Sequence, residues 1–445
     1  MFHQRQSIAL GIFIAFAALF SGFIIWRIGV PLQIDVNEAW NGWQVDRWLS
    51  GAPLYPEANA LIINNYPPLS FYLLGFTRPT FENAIVAGRF LSIASVFVIA
   101  LASYLSARHL RAERWAAGLG ALWFIATMTR FFGEYAGMND PNLLALAVMT
   151  TGFVVFLRSQ SRYSLYMGFS LMILAGLIKH NIVAIPFSAL LLLWLSNRGR
   201  AIEIALYCAV TVGLLSLALF EIYGAAFFQQ LMMAREISLI RPLERIGRLQ
   251  FVLPVLIFWM IWLRSAAPSQ AKRVTSILVI ASFVVNELAL TGAGVANNAQ
   301  FELVFATGLC LSMIVGDLQR RLASIGQMRV DVGLALIGVM VARFLLWPAF
   351  DPYLLVISPS YRADIAEKVA ILQSEIERVR AIPGPVNCSI RSVCYLAGKD
   401  FVFDDFAMSQ RIKTGHATEA SIRAEADRLG IQFVTIREEA RWRSP

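Results

Sequence analysis

The chain has 445 residues, of which 58% are hydrophobic and 15% charged, and its formal net charge is +9 at pH 7. A soluble protein carries about 25% charged residues, so this composition excludes an ordinary soluble enzyme and favours a polytopic membrane protein. The basic residues lie mainly in short loops between apolar runs, as orientation signals do, and we therefore expect membrane lipids but no nucleic acid as partners.

Long apolar runs recur along the chain, and each is long enough to cross the roughly 30 Å hydrocarbon core of a bilayer. They predict about eleven transmembrane helices. The first run is too long for the core of a signal peptide, so we expect a retained helix there. The predicted spans are approximately 8–30, 84–107, 115–132, 141–157, 163–179, 182–196, 201–222, 250–264, 274–292, 301–316 and 331–350.

Basic residues mark one side of this predicted membrane domain. Arg5 precedes the first span, and arginines or lysines follow the second, fourth, sixth, eighth and tenth spans. Because positively charged loops stay in the cytoplasm, we predict that the N-terminus and these connections are cytoplasmic. The remaining connections and the C-terminal tail then lie on the outer side, namely residues 31–83, 133–140, 223–249, 293–300 and 351–445.

The sequence divides into a transmembrane domain, residues 1–350, and a small soluble domain, residues 351–445. In the second domain, Tyr361–Arg380 and Thr418–Leu429 have the apolar spacing of helices. Two strand-like runs lie between these helices, at Pro385–Cys388 and Phe401–Phe403, and a third follows the second helix, at Ile431–Ile436. We therefore predict a polytopic α-helical membrane protein with a small C-terminal α/β domain on the outer, periplasmic side.

The four cysteines fall into two pairs of different character. Cys208 and Cys310 lie in apolar runs and are predicted to be packing residues. Cys388 and Cys394 lie six positions apart in the tail without neighbouring histidines, so their spacing does not indicate a zinc site. A disulfide between them would need an oxidising compartment, and the spacing leaves a disulfide and two free thiols equally open.

The first outer loop carries a pair of acids beside tryptophans. If a helix begins at Val36, then Asp35 and Glu38 share one face of it. The same spacing also fits a helix cap, with Asp35 as the N-cap and Glu38 at position N3, as in a capping box. The capping and catalytic interpretations do not exclude each other. Trp40, one turn along, suits either a membrane interface or a floor on which a sugar stacks.

Three further outer segments carry polar residues that suit a binding site. Asn65 and Tyr66 precede two prolines, which stiffen the chain into either an ordinary loop or a rigid wall for a ligand. Asp140, just before Pro141, is predicted to cap the fourth span, and an acid there can also bind a metal or orient a hydroxyl. Glu302 opens the tenth span, where it either offsets the helix dipole or contributes to a polar wall for an acceptor.

Cations also lie on the predicted outer side. Lys179 and His180 separate two apolar runs, where a lysine either extends to the interface or contacts a lipid phosphate. The loop 223–249 is basic although it faces outward, which indicates either an anionic ligand or an interfacial helix touching lipid headgroups. Its arginines are Arg235, Arg241, Arg245 and Arg248.

In their order, spacing and sidedness, these motifs resemble the membrane-embedded glycosyltransferases of the GT-C type. The similarity is greatest to the bacterial branch related to protein O-mannosyltransferases and to the lipid A aminoarabinose and galacturonic-acid transferases. It covers about residues 1–320. The matching residues are Asp35 and Glu38, the stretch Asn65-Tyr66-Pro67-Pro68-Leu69, the pair Asn139-Asp140, and Lys179-His180-Asn181.

The resemblance implies an enzyme of the bacterial cytoplasmic membrane that transfers a sugar, with inversion, from a polyprenyl-phosphate donor. The acceptor would be a lipid, glycan or protein at the outer face, and Asp35 would be the general base. Lys179, His180, Arg241 and Arg245 would bind the donor phosphate. The acceptor or sugar would contact Glu38, Trp40, Asn65, Tyr66, Asp140 and Glu302. The resemblance assigns no definite cofactor; many relatives need no metal, and Asp140 is the candidate ligand if a divalent metal takes part.

Two other classes of function remain open from the sequence. A transporter would have internal repeats and helices broken at mid-membrane, which the sequence does not indicate. A non-catalytic assembly protein is compatible with the same residues. In that case the tail would be a binding module, and Asp35 would serve only as a helix cap.

Overall fold

The structure is a computed structural model that describes residues 2–57, 60–322 and 330–442. These residues are mostly helical, and several of the helices are strongly apolar. Arg329 and the side chains of Arg320 and Arg321, which supported the predicted orientation of the tenth connection, lie outside the described part.

The first half of the chain runs from the N-terminus to the end of a long, kinked helix. Its helices are α1 (Phe2–Arg27), α2 (Val36–Leu49), α3 (Pro68–Thr77), α4 (Ala84–His109), α5 (Arg114–Phe131), α6 (Gly133–Ala136), α7 (Pro141–Leu157), α8 (Arg162–Ile178), α9 (Ala184–Ser196) and α10 (Arg198–Leu231). The predicted outer loop 31–83 is therefore itself folded, since α2 and α3 lie inside it.

The second half begins with a short helix and ends in the tail. Its helices are α11 (Arg241–Glu244), α12 (Leu253–Ser265), α13 (Gln270–Leu290), α14 (Phe301–Leu322), α15 (Val330–Leu346), α16 (Asp351–Ile357), α17 (Pro359–Arg380), α18 (Arg391–Leu396), α19 (Asp405–Lys413) and α20 (Glu419–Arg428). The two helices predicted for the tail correspond to α17 and α20.

Five of the described helices are long and apolar enough to cross a membrane, or six if the bent pair Ala335–Leu346 and Asp351–Ile357 is one span. They are Gln4–Arg27, Ala84–His109, Arg198–Leu231, Gln270–Leu290 and Asn297–Asp317. Four other apolar helices are shorter, and the 13 residues of α9 cover only about 20 Å. The chain is a multi-pass membrane protein, and the number of eleven spans stays a prediction.

The tail contains a parallel pair of short strands, β1 (Val386–Cys388) and β2 (Gln432–Val434). A disulfide joins Cys388 to Cys394 within this part of the fold. The predicted strand at Phe401–Phe403 is wrong, because these residues form no strand and Phe401 instead packs against the tryptophans of α2. The α/β character of the tail therefore rests on two strands among the residues described there.

The tail packs directly on the loop 31–83, which was predicted to lie on the outer side. The backbone N–H of Trp442 donates to the carbonyl oxygen of Gln33 at 2.8 Å, and the Ser392 N–H donates to the side-chain oxygen of Gln33 at 2.9 Å. Farther along α2, the Trp43 indole donates to Asp400 at 3.0 Å. These contacts fix the segment that leads to Asp35.

A close approach between helices positions the turn before α7. A Cβ atom on Gly88 of α4 would overlap the side chain of Asn139, so only glycine fits there without a shift. Ser92, one turn along α4, donates to the carbonyl oxygen of Met138 at 2.6 Å. Helix α4 therefore holds the turn that carries Asp140.

Helix α10 bends at Gly224, whose backbone has φ 68° and ψ −167°. Glycine adopts this conformation without the steric cost that a side chain brings. The predicted span ended at residue 222, so the bend separates the apolar stem of α10 from a last segment that reaches Leu231. In this segment the side-chain oxygen of Gln230 accepts the N–H of Asn64 at 2.7 Å, which ties α10 to the first outer loop.

Candidate active site

Asp35 caps α2, as its position in the sequence predicted. Its backbone is extended, and Oδ1 accepts the Asn37 N–H at 2.9 Å. The second oxygen, Oδ2, has no hydrogen-bond partner in the described part of the chain. Partial burial, together with nearby acids led by Asp140, raises the pKa of Asp35 to about 6, although the hydrogen bond from the Asn37 N–H opposes the shift. Asp35 is therefore a carboxylate with one available oxygen and increased basicity.

Glu38 is fully buried and bound at both oxygens. Arg89 of α4 donates from Nε to Oε1 at 2.6 Å and from Nη2 to Oε2 at 2.8 Å. In a capping box, Glu38 would accept the backbone N–H of the N-cap residue, Asp35. Here its Oε2 instead accepts the N–H of the preceding residue, Ile34, at 2.8 Å. Its carboxylate is therefore fully engaged inside the protein, and the contact of Glu38 with an acceptor or sugar stays a prediction.

The Arg89 guanidinium also organises the chain before Asp35. Nη1 donates to the carbonyl oxygen of Val30 at 2.6 Å, and Nη2 donates to that of Leu32 at 2.8 Å. The N–H of Asn139 reaches Glu38 Oε1 at 3.3 Å. The buried pair thus connects the segment before Asp35 with the turn before Asp140.

Trp40 lies in the interface between α2 and the tail. Its ring stacks on Phe401, with the centroids 5.6 Å apart and the planes 5° from parallel. Only 5% of its surface is exposed. The tail therefore covers the ring, and the contact of Trp40 with a sugar stays a prediction.

Asp140 is the N-cap of α7, with Pro141 in the first turn, which confirms the capping prediction. Its Oδ1 accepts the Asn142 N–H at 2.8 Å. Its Oδ2 accepts the Tyr66 hydroxyl at 3.3 Å and lies 4.0 Å from Lys179 Nζ. Asp140 therefore joins the first outer loop to the connection between α8 and α9.

Tyr66 and Lys179 form the centre of the cluster. The Lys179 ammonium lies 3.7 Å from the centroid of the Tyr66 ring, within the range of a cation–π interaction. Burial lowers the pKa of Lys179, while Asp140 opposes that shift. Burial raises the pKa of Tyr66, with Asp140 as the next contributor, so its hydroxyl stays protonated and donates. Asn65, just before Tyr66, is half-buried.

Arg235 is the cation that the sequence interpretation did not select. Burial is the main cause that lowers the pKa of His180 to about 4, and the positive charges of Lys179 and Arg235 contribute to this shift. Arg235 also lowers the pKa of Lys179. Its guanidinium carbon lies 5.7 Å from the centroid of the Phe406 ring in α19. The basic composition of the loop 223–249, which was predicted to face outward, drew attention to four arginines, but the contact with the tail that distinguishes Arg235 has no local sequence signal.

Arg241, Arg245 and Glu302 are used elsewhere in the fold. Arg241 donates to the carbonyl oxygen of Thr291, and Arg245 donates to that of Val295. These two arginines therefore brace the loop after α13, and their predicted contact with a donor phosphate is not supported by the geometry. Glu302 is buried and accepts the Ile185 N–H at 2.8 Å, and its contribution to a wall for an acceptor stays a prediction.

The residues around Asp140 do not fit a divalent metal ion. No group of three or more histidines, cysteines or acids with suitable geometry occurs in the residues described, 2–57, 60–322 and 330–442. The oxygens of Asp140 already accept from Asn142 and Tyr66, and the Lys179 ammonium occupies the side where a cation would bind. The cluster therefore supplies positive charge from its own side chains.

An apolar cavity of about 460 Å³ opens beside this cluster. Its walls come mainly from α8, α9 and α10, and they are lined by leucines, isoleucines, valines, methionines and phenylalanines. Pro67 and His180 belong to the lining, and each is the chain neighbour of a cluster residue, Tyr66 and Lys179. A long apolar chain in this cavity could therefore present a polar end to the cluster.

Comparison with known proteins gives structural neighbours only. No family model matches the chain, and no curated protein matches its sequence. ArnT from Cupriavidus metallidurans bound to undecaprenyl phosphate superposes with a TM-score of 0.61 at 15% identity, over 94% of this chain and 89% of that chain. The apo form of the same protein gives a TM-score of 0.58 at 14% identity, over 93% and 91%.

A second neighbour is the archaeal oligosaccharyltransferase AglB from Archaeoglobus fulgidus in complex with an inhibitory peptide and a dolichol-phosphate. Its TM-score is 0.51 at 11% identity, over 97% of this chain and 69% of that chain. At such identities the likeness concerns the fold. The resemblance to the GT-C glycosyltransferases is confirmed at that level, and the chain is a multi-pass membrane protein with a GT-C-like fold.

Proposed function

We propose that the protein is a glycosyltransferase that moves a sugar from a polyprenyl-phosphate donor to an acceptor hydroxyl. The observation that carries this proposal is the junction between the apolar cavity and the charged cluster of Asp35, Tyr66, Asp140 and Lys179. An isoprenoid chain fits the apolar cavity, and its phosphate fits the charged cluster. The neighbours bound to undecaprenyl phosphate and to a dolichol-phosphate support this class of donor.

The chemistry requires one base and a site for a phosphate leaving group. The acceptor oxygen attacks the anomeric carbon of the sugar, and the bond from that carbon to the phosphate oxygen breaks. The electron pair of this bond stays with the phosphate, and the acceptor proton moves to a carboxylate. The products are the glycoside and the polyprenyl phosphate, and attack from the opposite side inverts the anomeric configuration.

Asp35 is the proposed general base. Its Oδ2 is available, and a pKa of about 6 gives a carboxylate that is ionised at neutral pH but more basic than an ordinary aspartate. The other acids near it are less suitable. Glu38 is neutralised by Arg89, and Asp140 is held by Tyr66, Asn142 and Lys179.

Lys179 and Arg235 are the proposed ligands of the donor phosphate. Lys179 has only a distant carboxylate partner, at 4.0 Å, and its ammonium faces an aromatic ring. Fixed cations of this kind stabilise the charge that develops on a departing phosphate without reorganisation at the moment of reaction. His180, whose pKa is lowered to about 4, is neutral at physiological pH and would contribute hydrogen bonding rather than charge.

The cellular setting follows from the basic loops. The outer face of a bacterial cytoplasmic membrane, with the tail in the periplasm, is the proposed location. The disulfide between Cys388 and Cys394 is consistent with an oxidising compartment. An accessible cysteine introduced in α20 should therefore react with a membrane-impermeant thiol reagent added from outside.

The test is lipid binding and sugar transfer by protein reconstituted in lipid nanodiscs. Gly176 lines the apolar cavity and has space around it, so Gly176→Leu should reduce binding of undecaprenyl phosphate and slow transfer from its sugar ester. Gly213 on α10 also has space but does not line the cavity, so Gly213→Leu is the matched control.

The outcomes separate the proposed glycosyltransferase from a non-catalytic assembly protein. Wild-type protein that neither binds undecaprenyl phosphate nor transfers sugar would refute the proposal. Protein that binds the lipid, but whose removal from cells leaves every glycan and glycolipid unchanged, would favour a non-catalytic assembly role.

A further inference from the structure

A second large cavity, of about 770 Å³, lies on the other side of the end of α10. Its walls come from the loop before Asn64, from the last turn of α10, and from α19 and α20 with the loop between them. The lining residues are Leu61, Ile63, Gln229, Gln230, Met232, Met233, Ala234, Arg411, Thr414, His416, Ala417, Ser421, Ile422 and Glu425. The volume is within the range of small-molecule sites, about 300–1,000 Å³.

The last turn of α10 separates this cavity from the apolar one. Phe227, Phe228 and Leu231 line the apolar cavity, whereas Gln229 and Met232 line the second cavity. The two cavities share no lining residue in the described part of the chain. One short helical segment therefore has an apolar side towards the first cavity and a more polar side towards the second.

Each cavity is lined by residues that are close in sequence to members of the charged cluster. In the second cavity, Ile63 is three residues before Tyr66, and Ala234 directly precedes Arg235. Gln230 connects these walls, because its side-chain oxygen accepts the Asn64 N–H at 2.7 Å and its amide donates to the carbonyl oxygen of Pro56. A transferase needs separate sites for two substrates that meet at the base, and this arrangement provides them.

We propose that the second cavity is the acceptor subsite and that it takes the sugar rings of a glycan or glycolipid. This inference rests on the proposed glycosyltransferase function. Amide, hydroxyl, imidazole and charged groups alternate with methionine and aliphatic side chains in the lining, which matches the hydroxyls and apolar faces of a sugar. Neither β1 nor β2 lines this cavity, so it offers no strand edge with which an extended peptide could pair.

The tail is fixed to both catalytic loops, so it can hold an acceptor in register with them. The Asp404 N–H donates to the carbonyl oxygen of Leu61 at 2.8 Å. On the opposite wall, the Glu236 N–H donates to the side-chain oxygen of Gln410 at 2.9 Å. Helix α19 thus bridges the segments that carry Tyr66 and Arg235, and acceptor choice is assigned to the tail.

The experiment fills the cavity from two walls. Gln229 and His416 are exposed residues of the lining, so Gln229→Trp and His416→Trp place a large ring in the cavity without removing a buried contact. Ala424→Trp is the matched control, because Ala424 is exposed on α20 but does not line the cavity. Each variant is expressed in cells that lack the wild-type protein, and their glycans, glycolipids and glycopeptides are compared by mass spectrometry.

The filling variants should lower the amount of glycosylated product by about tenfold or more. Their binding of undecaprenyl phosphate should stay within about twofold of wild type, because the donor site is separate. Ala424→Trp should match wild type in both measurements. The product should be a glycolipid or a free glycan, and extraction into organic solvent distinguishes these two sources.

Wild-type product levels in both filling variants would overturn the inference, and so would an equal loss of lipid binding. A product found only on protein would overturn the assignment of the acceptor class. All three results leave the proposed function intact. Wild-type protein that neither binds undecaprenyl phosphate nor changes any glycan would instead remove the proposed function, and this inference with it.

Discussion

The ammonium nitrogen of Lys179 lies 3.7 Å from the centroid of the Tyr66 ring. The ring fixes the position of the ammonium group without neutralising its charge. Oδ2 of Asp140 lies 4.0 Å from the same nitrogen. The neighbouring Arg235 adds a second positive charge. An anion that enters from the apolar cavity would therefore meet two cations that the protein already holds in place.

Lys179→Met should weaken binding of undecaprenyl phosphate by about tenfold to a hundredfold, the effect of losing one charge-assisted hydrogen bond. Tyr66→Phe is the matched control, because it keeps the ring beneath Lys179 and removes only the hydroxyl bond to Asp140. Lipid binding measured in nanodiscs tests both variants. Equal affinity in Lys179→Met and wild type would exclude Lys179 as a phosphate ligand.

Asp35→Asn should reduce the rate of transfer by about 10²- to 10⁴-fold, the contribution of a general base. Asparagine caps helices as well as aspartate does, so α2 should stay intact and the variant should unfold no more easily than wild type. Single-turnover kinetics measure the rate of transfer, and thermal unfolding in detergent measures the stability. Retained turnover would leave Asp35 only its role as a cap.

Asp35→Ala provides a second test that separates the role of Asp35 as a general base from its role as a helix cap. It removes the base and the cap together, so it should lose transfer as Asp35→Asn does and should be about 1 kcal/mol less stable than Asp35→Asn, which also lacks the charge but keeps the cap. If the asparagine variant proved as unstable as the alanine variant, loss of activity in either of them could not be assigned to the base.

The rate of transfer should rise with pH through about 6. The pKa of Asp35 is raised, so its carboxyl group is protonated and inactive below that value and becomes a base above it. Because the pKa of Asp35 is higher in the folded protein than in the unfolded chain, the folded state loses stability as the pH rises from the unfolded-state pKa to about 6. Asp35→Asn removes this loss of stability. The measurement is kcat/KM between pH 5 and 8. A His180→Asn variant with an unchanged profile excludes that histidine, whose pKa is about 4.

Material from the native compartment should contain the Cys388–Cys394 disulfide. Alkylation of the denatured protein without reductant, followed by mass spectrometry, should label Cys208 and Cys310 but leave the tail pair unlabelled. Labelled Cys388 and Cys394 would argue against the disulfide and against an oxidising location for the tail.

Local signals in the sequence predicted the parts of the site that depend on local structure. Asp35 and Asp140 are helix caps because a small acidic side chain precedes each helix and can accept its first N–H groups. The partners of Glu38 could not be predicted in this way, because Arg89 is 51 positions away and belongs to a helix that read as an ordinary span. An ion pair of this kind depends on how the helices pack, which spacing does not record.

The contacts of the basic residues in the loop 223–249 could not be predicted for the same reason. Arg235, Arg241 and Arg245 lie in one loop and look equivalent in sequence. The structure separates them by their long-range neighbours. Arg241 and Arg245 reach backbone carbonyls after α13, whereas Arg235 lies between the cluster and Phe406 of the tail.

Glu38→Gln should destabilise the protein by about 3–5 kcal/mol, because it leaves the Arg89 guanidinium buried without a counter-charge. It should also lower kcat, since the carboxylate of Glu38 holds the Ile34 N–H next to Asp35. The matched control is Glu377→Gln in α17, whose partner Arg380 is exposed, and it should change neither quantity. Unfolding in detergent and single-turnover rates test these expectations. A Glu38→Gln variant that loses turnover at wild-type stability would instead assign Glu38 a direct role in the reaction.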